Sequence, residues 1–274
     1  VAVVHTAALT EWGQPKDRYE AVNVAGTRHV TELAAAASVP VHYVSTAFVA
    51  ALGEATPEPP RHDNVILPYI RSKRAGELML AESGVPYSVY RPTNLIGDSV
   101  TGRTARPQIV QILSDWVCRG KARIFPVPPD DLLDIVPQDL LARAVVRALT
   151  RGETGGEYWI THGAGAMTMR TAVDVIVEHA RSLGRDVLRP LLLHPAELTA
   201  DDLASVPPMS RMFMRVLTDV RQVVAACGGV LPSSLDLLAT RFGLTPMVSD
   251  VEAFRRTLAA AGCPAVAPRT RRGQ

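Results

Sequence analysis

The stretch that decides the fold is Val41-His42-Tyr43-Val44-Ser45-Thr46, a short apolar run that follows Pro40 and ends on two small hydroxyl residues. A β-branched run of this length, bounded by a helix breaker, reads as a buried strand. Val1–Val4 has the same character and ends at His5-Thr6-Ala7-Ala8. Between the two runs, Pro15 opens a helix with apolar spacing through Tyr19, Val22, Val30, Leu33 and Ala37, and Pro40 stops it. Downstream, a Pro-rich loop from Thr56 to Pro68 leads into a helix over Tyr69–Ser83 that Gly84 closes. Val85–Tyr90 is then a third strand, ending at Arg91-Pro92. Strand, helix, strand, helix, strand with connections this long predicts parallel pairing. The fold class is therefore α/β, a parallel sheet with helices on its faces.

Beyond this unit the pattern is less regular. A helix is expected over Pro107–Cys118, closed by Gly120, with short strands at Arg123–Phe125 and Asp134–Val136. Pro137–Thr150 reads as a helix and Glu157–Thr161 as a strand. From Thr168 onward the pattern is mostly helical, and Ser249-Asp250-Val251-Glu252 has the form of a capping box. The division falls near residue 150: 1–150 carries the sheet and the candidate catalytic residues, and 151–274 is a mostly helical substrate-binding region.

Composition narrows the class. The chain has 274 residues, 47% hydrophobic and 20% charged, with a formal net charge of +2, so it can bury a sizeable core and is not disordered. Cys118, Cys227 and Cys263 are widely spaced and odd in number, which excludes a disulfide framework and favours a reducing, cytoplasmic setting. No apolar run reaches the length of a membrane span. Val1–Leu9 is too short for a signal peptide and has no basic residues before it. Scattered arginines form no basic stripe, so no nucleic-acid footprint is read; the basic tail Arg269–Arg272 reads as a frayed end. His162, His179 and His194 lack metal-ligand spacing.

Tyr69 and Lys73 are four residues apart on an expected helix and share one face. An ammonium beside a phenol favours the phenolate and fits the tyrosine for proton transfer near neutral pH. The alternative is an ordinary surface pair. Thr46 lies just past a strand end, where open α/β sheets place their ligand crevice. Its hydroxyl could hold a substrate carbonyl, or it could simply serve the turn. Met167, Met169, Met209, Met212, Met214 and Phe213 could line an acyl channel, though helix packing is the plainer reading.

Five elements in order carry a resemblance: His5-Thr6-Ala7-Ala8, Asn23-Val24-Ala25-Gly26-Thr27, Val44-Ser45-Thr46-Ala47, Tyr69-x-x-x-Lys73 and Tyr90-Arg91-Pro92-Thr93-Asn94. Together they resemble the extended short-chain dehydrogenase/reductase superfamily. Ser45–Val49, the run Asn94–Gly102, and Asp134-Ile135-Val136-Pro137-x-Asp139 are similar to its thioester reductase and fatty acyl-CoA reductase (male sterility) branch. The resemblance implies catalytic roles for Thr46, Tyr69, Lys73 and Asn23. Tyr69 would be the general acid, Lys73 would lower its pKa and bind the nicotinamide ribose, and Thr46 would orient the carbonyl. Ala7 and Ala8 would pass beside the cofactor, with Pro92, Thr93 and Asn94 lining the nicotinamide pocket. The implied cofactor is NADPH, with NADH the alternative. The implied substrate is an acyl thioester, carried by an acyl or peptidyl carrier protein or by coenzyme A, and reduced to an aldehyde or alcohol. Relatives pair through the helices matching those of Asn23 and Tyr69, so a homodimer is one expectation.

One departure stands out. No G-x-x-G-x-x-G loop, which would cradle the cofactor pyrophosphate, precedes His5. The glycines at 152, 155, 156, 163 and 165 lie beyond the catalytic motifs. The resemblance implies the C-terminal part of a Rossmann-like parallel sheet with its N-terminal strands missing: the first strand here corresponds to the fourth of the family sheet, so an N-terminally incomplete chain is expected, with a non-catalytic remnant as the alternative. Another extended family member, a reductase or epimerase acting on a sugar nucleotide or small carbonyl compound, is the enzymatic alternative.

Overall fold

A computed structural model describes residues 1–53 and 59–261. Cys263, the basic tail and part of the loop from Thr56 lie outside the described residues. The chain runs β1 (Val3–His5), α1 (Lys16–Tyr19), a π-helical turn (Glu20–Val24), α2 (Ala25–Ala37), β2 (Val41–Val44), a 3₁₀ segment (Ala47–Leu52), α3 (Leu67–Glu82), β3 (Tyr87–Pro92) and β4 (Asn94–Ile96). It continues through α4 (Ile109–Cys118), β5 (Ile124–Phe125), β6 (Leu132–Leu133), β7 (Ile135–Pro137), α5 (Gln138–Thr150), β8 (Glu157–Ile160), β9 (Met167–Thr168) and α6 (Met169–Ser182). The last elements are β10 (Leu191–Leu192), α7 (Ala200–Ser205), α8 (Pro208–Ala225), α9 (Leu235–Phe242) and α10 (Asp250–Ala261).

The main sheet has the order β1-β2-β3-β8, all parallel. Alternation sorts its side chains by face. Val41, Tyr43 and Val89 pack with Ala34 of α2 and Leu80 of α3 on one side. Tyr90, Tyr158 and Ile160 pack with Leu140 and Ala144 of α5 and with Leu238 and Phe242 of α9 on the other. Both faces are covered, as a parallel sheet requires. The fourth strand comes from beyond residue 150, so the sheet draws on both sides of that position. A second core joins α4, α6 and α10 to Phe125 and to Met214 and Leu217 of α8. No helix among the described residues is long and apolar enough to cross a membrane.

The elements depart from the sequence reading in physical detail. The first strand occupies Val3–His5, one to two residues later than expected, and is an edge with Val4 42% exposed. The helix expected from Pro15 contains a π turn over Glu20–Val24. The helix carrying Tyr69 starts at Leu67, with Pro68 in its first turn, where a missing N–H costs nothing. The Ser249 hydroxyl accepts from the Glu252 N–H at 3.2 Å, but the Glu252 carboxylate pairs with Arg256 instead of closing the capping box. Within the region read as mostly helical, β10 adds a parallel pairing with β5.

Candidate active site

β2 ends at the start of the site. Its last residues lead to Thr46, whose extended backbone turns the chain into the 3₁₀ segment and whose hydroxyl accepts from Phe48 N–H at 3.4 Å. So Thr46 does serve the turn. The same hydroxyl acts on the Tyr69 phenol on α3, where it opposes in part the rise of its pKa. Both residues are buried. Burial pushes the Tyr69 phenol up to about 12, only partly opposed by the Thr46 hydroxyl. The expected lowering by Lys73 is therefore not what this structure shows. Desolvation dominates and holds Tyr69 protonated, the state a general acid needs.

One turn along α3, Lys73 is 2% exposed. Its ammonium lies 4.2 Å from the centre of the Tyr43 ring. Among the described residues it has no hydrogen-bond partner. Burial pulls the group down to about 7, against the carboxylate of Glu77 one turn further on. A buried ammonium with three unspent donors and an aromatic floor is a costly arrangement unless a ligand supplies acceptors. The hydroxyls of a ribose would supply them, so this end of the crevice fits the nicotinamide-ribose half of a dinucleotide. Among the described residues, no glycine-rich turn that would hold the pyrophosphate precedes β1.

Asn23 sits in the π turn, a distortion that rotates its side chain inward. Its Oδ1 accepts from Leu9 N–H at 2.7 Å, and its Nδ2 donates to Leu9 C=O at 3.1 Å and to Ser72 Oγ at 2.8 Å. Those bonds tie the loop through Ala7 and Ala8 to α3. By geometry Asn23 positions the site. Ala7 is exposed and Ala8 half-buried on the loop after β1. Pro92, Thr93 and Asn94 follow β3, and Thr93 Oγ1 and Asn94 Nδ2 both donate to the Asp134 carbonyl at 3.0 and 3.3 Å.

Several participants were not singled out from sequence. Tyr43 lies on the α3-facing side of β2, a position that strand alternation could have assigned. Gly76 lets it approach: a Cβ there would stand 2.5 Å from the Tyr43 hydroxyl. Glu77 is held by Arg91 at 2.9 Å and Arg74 at 2.8 Å, and Arg91 also reaches Glu157 at 2.6 Å and stacks 4.5 Å over the Trp159 ring. The Lys73-x-x-x-Glu77 spacing was a signal for this network. The Asp134 carboxylate accepts from His162 and Gly163 N–H at 3.0 and 2.8 Å; burial holds it above the usual carboxylate range, and Asp250 adds to that. Of the methionines, Met167 and Met214 are core residues, Met209 and Met212 are exposed, and Met169 faces a cavity. Phe213 stacks on Trp116 with ring centres 5.2 Å apart. Among the described residues, no three His, Cys, Asp or Glu side chains converge to hold a metal.

A parallel sheet with a Thr–Tyr–Lys set at the carboxyl ends of its strands defines a Rossmann-like, short-chain-dehydrogenase type of protein. Residues 1–145 match the male sterility protein family, a NAD-binding family, and the chain belongs to it, in the thioester reductase branch of the extended superfamily. It is similar to a linear gramicidin synthase of Brevibacillus parabrevis, 29% identical over 157 residues, covering 53% of this chain and 3% of that protein. It is also similar to an isonitrile lipopeptide synthase of Streptomyces coeruleorubidus, 35% identical over 109 residues, 37% of this chain and 7% of that protein. The chain thus spans a small fraction of these relatives. Among solved structures, the terminal R domain of the myxalamid PKS-NRPS pathway aligns with TM-score 0.66 and 25% identity, over 94% of this chain and 67% of that one. WbmG of Bordetella bronchiseptica, solved with NAD and UDP, shares the fold at TM-score 0.63 and 21% identity, over 94% of this chain and 72% of that one.

Proposed function

We propose that these residues form the proton-delivering and substrate-holding part of a nicotinamide-dependent reductase of acyl thioesters. The observation that carries this reading is the buried Thr46–Tyr69–Lys73 set, with its protonated phenol and its unpartnered ammonium. The R-domain likeness and the peptide-synthase relatives support a thioester on a carrier as the substrate. NADPH is the proposed donor; solved neighbours hold NADPH or NAD, which supports the nicotinamide class.

Bound, the reduced nicotinamide supplies a hydride to the thioester carbonyl carbon. Thr46 holds the carbonyl oxygen, and Tyr69 delivers its proton to that oxygen as negative charge develops. Lys73, as its ammonium, would orient the ribose and stabilise the transient phenolate until Tyr69 regains a proton from solvent. The resulting hemithioacetal breaks its C–S bond, giving an aldehyde and a free thiol; the alcohol would follow from a second hydride and proton. Asn23 and Ser72 keep α3 and the Leu9 loop in register throughout.

The test is NADPH consumption with an acyl-CoA, paired with thiol release. Tyr69→Phe should cut turnover by about 10²–10⁴-fold while leaving NADPH affinity unchanged. Equal turnover in that variant removes Tyr69 from the chemistry.

A further inference from the structure

A buried lysine tends to shed its proton, and Lys73 keeps one near neutral pH with the help of a carboxylate that touches neither substrate nor cofactor. Lys73 is 2% exposed, and burial pulls it down to about 7 even with Glu77 acting the other way. Glu77 stands one turn further along α3, on the same helix face. The other titratable groups packed around the amine are neutral near pH ~7. On β1, burial and then the Lys73 charge hold the His5 imidazole below its usual value. On β2, burial raises the phenol of Tyr43, whose ring centre is 4.2 Å from the ammonium. Tyr69 stays protonated up to about 12, and burial keeps Tyr19 of α1, with its ring centre 6.4 Å from that of Tyr69, protonated as well. The π turn and α2 pack on α3 with Asn23 and Thr27, which carry no charge.

Two arginines fix the Glu77 charge. Arg91 on β3 donates from Nε to Oε1 and from Nη2 to Oε2, both at 2.9 Å, and Arg74 donates to Oε2 at 2.8 Å. Burial alone would raise the carboxyl, but the Arg91 hydrogen bonds and charge, with Arg74, outweigh it and hold Glu77 below the usual carboxylate range. Glu77 is therefore ionised where Lys73 titrates. Arg91 is fixed in turn by Glu157 of β8 at 2.6 Å and by the Trp159 ring, 4.5 Å away. The Arg91 and Glu77 side chains are 5% and 3% exposed. A buried pair of this kind adds little net stability over apolar residues of the same volume. What it does supply is a carboxylate one helical turn from the ammonium, with two cations limiting how strongly that carboxylate pulls.

We propose that Glu77 is a positioning residue that sets the charge on Lys73, with Arg91 and Arg74 fixing its carboxylate. The inference rests on the reductase reading only for the use made of that charge, which is to hold a ribose and a transient phenolate. The coupling itself operates in the free chain.

The chain has three lysines, Lys16, Lys73 and Lys121, so labelling with ¹³Cε-lysine gives three resonances to follow by NMR, and Lys73→Met identifies the one that matters. Its titration midpoint is read in the whole chain without cofactor. Glu77→Gln should move the midpoint down by about one pH unit or more, the size of effect expected of a nearby opposite charge. Glu77→Asp, which keeps the charge, should stay nearer the parent. Arg74→Met should move the midpoint up; the Arg74 side chain is 44% exposed, so this variant carries the test where Glu77→Gln does not fold. A merely structural role for Glu77 has the opposite sign, because a loosened site admits water and returns the amine toward 10.5. A midpoint unmoved or raised in Glu77→Gln, or unmoved or lowered in Arg74→Met, overturns the inference. In NADPH-dependent turnover of an acyl-CoA, activity that needs the ammonium falls as pH rises through the Lys73 value, and in Glu77→Gln it should fall at correspondingly lower pH. A midpoint that follows the charge in a chain that turns nothing over keeps the inference and removes the reductase reading. Turnover that Tyr69→Phe abolishes, with a midpoint blind to Glu77, does the reverse.

Discussion

Replacing Lys73 by methionine should make the protein more stable at neutral pH while removing its chemistry. Lys73 is 2% exposed, and burial lowers its pKa from 10.5 to about 7. The sign follows from proton linkage: between the folded and unfolded values the unfolded chain binds a proton that the folded chain lacks. Stability therefore rises with pH across that window, and the full penalty is present below the folded value. At pH 7 the cost of burying this amine is about 4 kcal/mol. Methionine keeps the length of the side chain and gives up the Tyr43 ring contact, worth about 1–2 kcal/mol when desolvated. The net expected gain is about 2–3 kcal/mol near pH 7, fading toward pH 10. Urea unfolding of parent and variant at about pH 7 and about pH 10 measures it, because the difference between the two cancels groups that titrate alike in both. A variant less stable than the parent at neutral pH, or a difference that does not change with pH, refutes the claim that Lys73 is held desolvated for a ligand.

The other predictions concern how the site is held. Asn23→Ala removes the three hydrogen bonds to Leu9 and Ser72 and should cost about 2–4 kcal/mol in urea unfolding, because it leaves the Leu9 groups and Ser72 without their partner. Gly76→Ala should be destabilising by about 1–3 kcal/mol despite alanine's better helix propensity, since its Cβ would meet the fully buried Tyr43 hydroxyl; a stabilised variant would show that Tyr43 can move. Gly102→Ala should cost more than about 3 kcal/mol, read as a drop in the urea midpoint. The residue has φ of +69°, and a Cβ would stand 2.0 Å from the Arg256 carbonyl oxygen.

The sheet was legible because its strands are short apolar runs that end on small polar residues and alternate with helices. The Tyr90–Tyr158 stacking at 5.3 Å, which ties β3 to β8 across residue 150, was not legible, because it joins residues far apart in sequence. At the site, the i, i+4 rule brought Tyr69 and Lys73 to one face, and the strand end brought Thr46 to them. The direction of the Tyr69 shift was misread because a local pair rule contains no burial. Once the phenol and the ammonium are both desolvated, each is driven toward its neutral form, and that cost exceeds the benefit of pairing. Tyr43 and Asn23 illustrate the same gap. The first contributes a ring face that only sheet parity reveals, and the second depends on a π turn that no propensity announces.

The run Asn94–Gly102 shows what a family-like motif does when it touches no reacting atom. β4 pairs with β7, and the chain then doubles back so tightly that a Cβ on Gly97 would stand 1.9 Å from the Gly102 carbonyl oxygen. Asp98 holds that turn by accepting from Val100 and Thr101 N–H at 3.0 and 2.8 Å. Asp139 at the start of α5 accepts from Ser99 N–H and its hydroxyl at 2.8 and 2.7 Å. The close approach exposes backbone groups that α10 then takes: Gly97 N–H donates to Thr257 Oγ1 at 3.1 Å, and Arg256 donates to the Ser99 carbonyl at 2.7 Å. α10 in turn packs on α4 and α6 and sets Phe254 into the wall of the cavity between α4, α6 and α8. The glycines of the run therefore act on the seating of a helix. A substitution at Gly97 or Gly102 that still folds should loosen the seating of α10, read as faster amide hydrogen exchange over Asp250–Ala261, before it changes the proton chemistry at Tyr69.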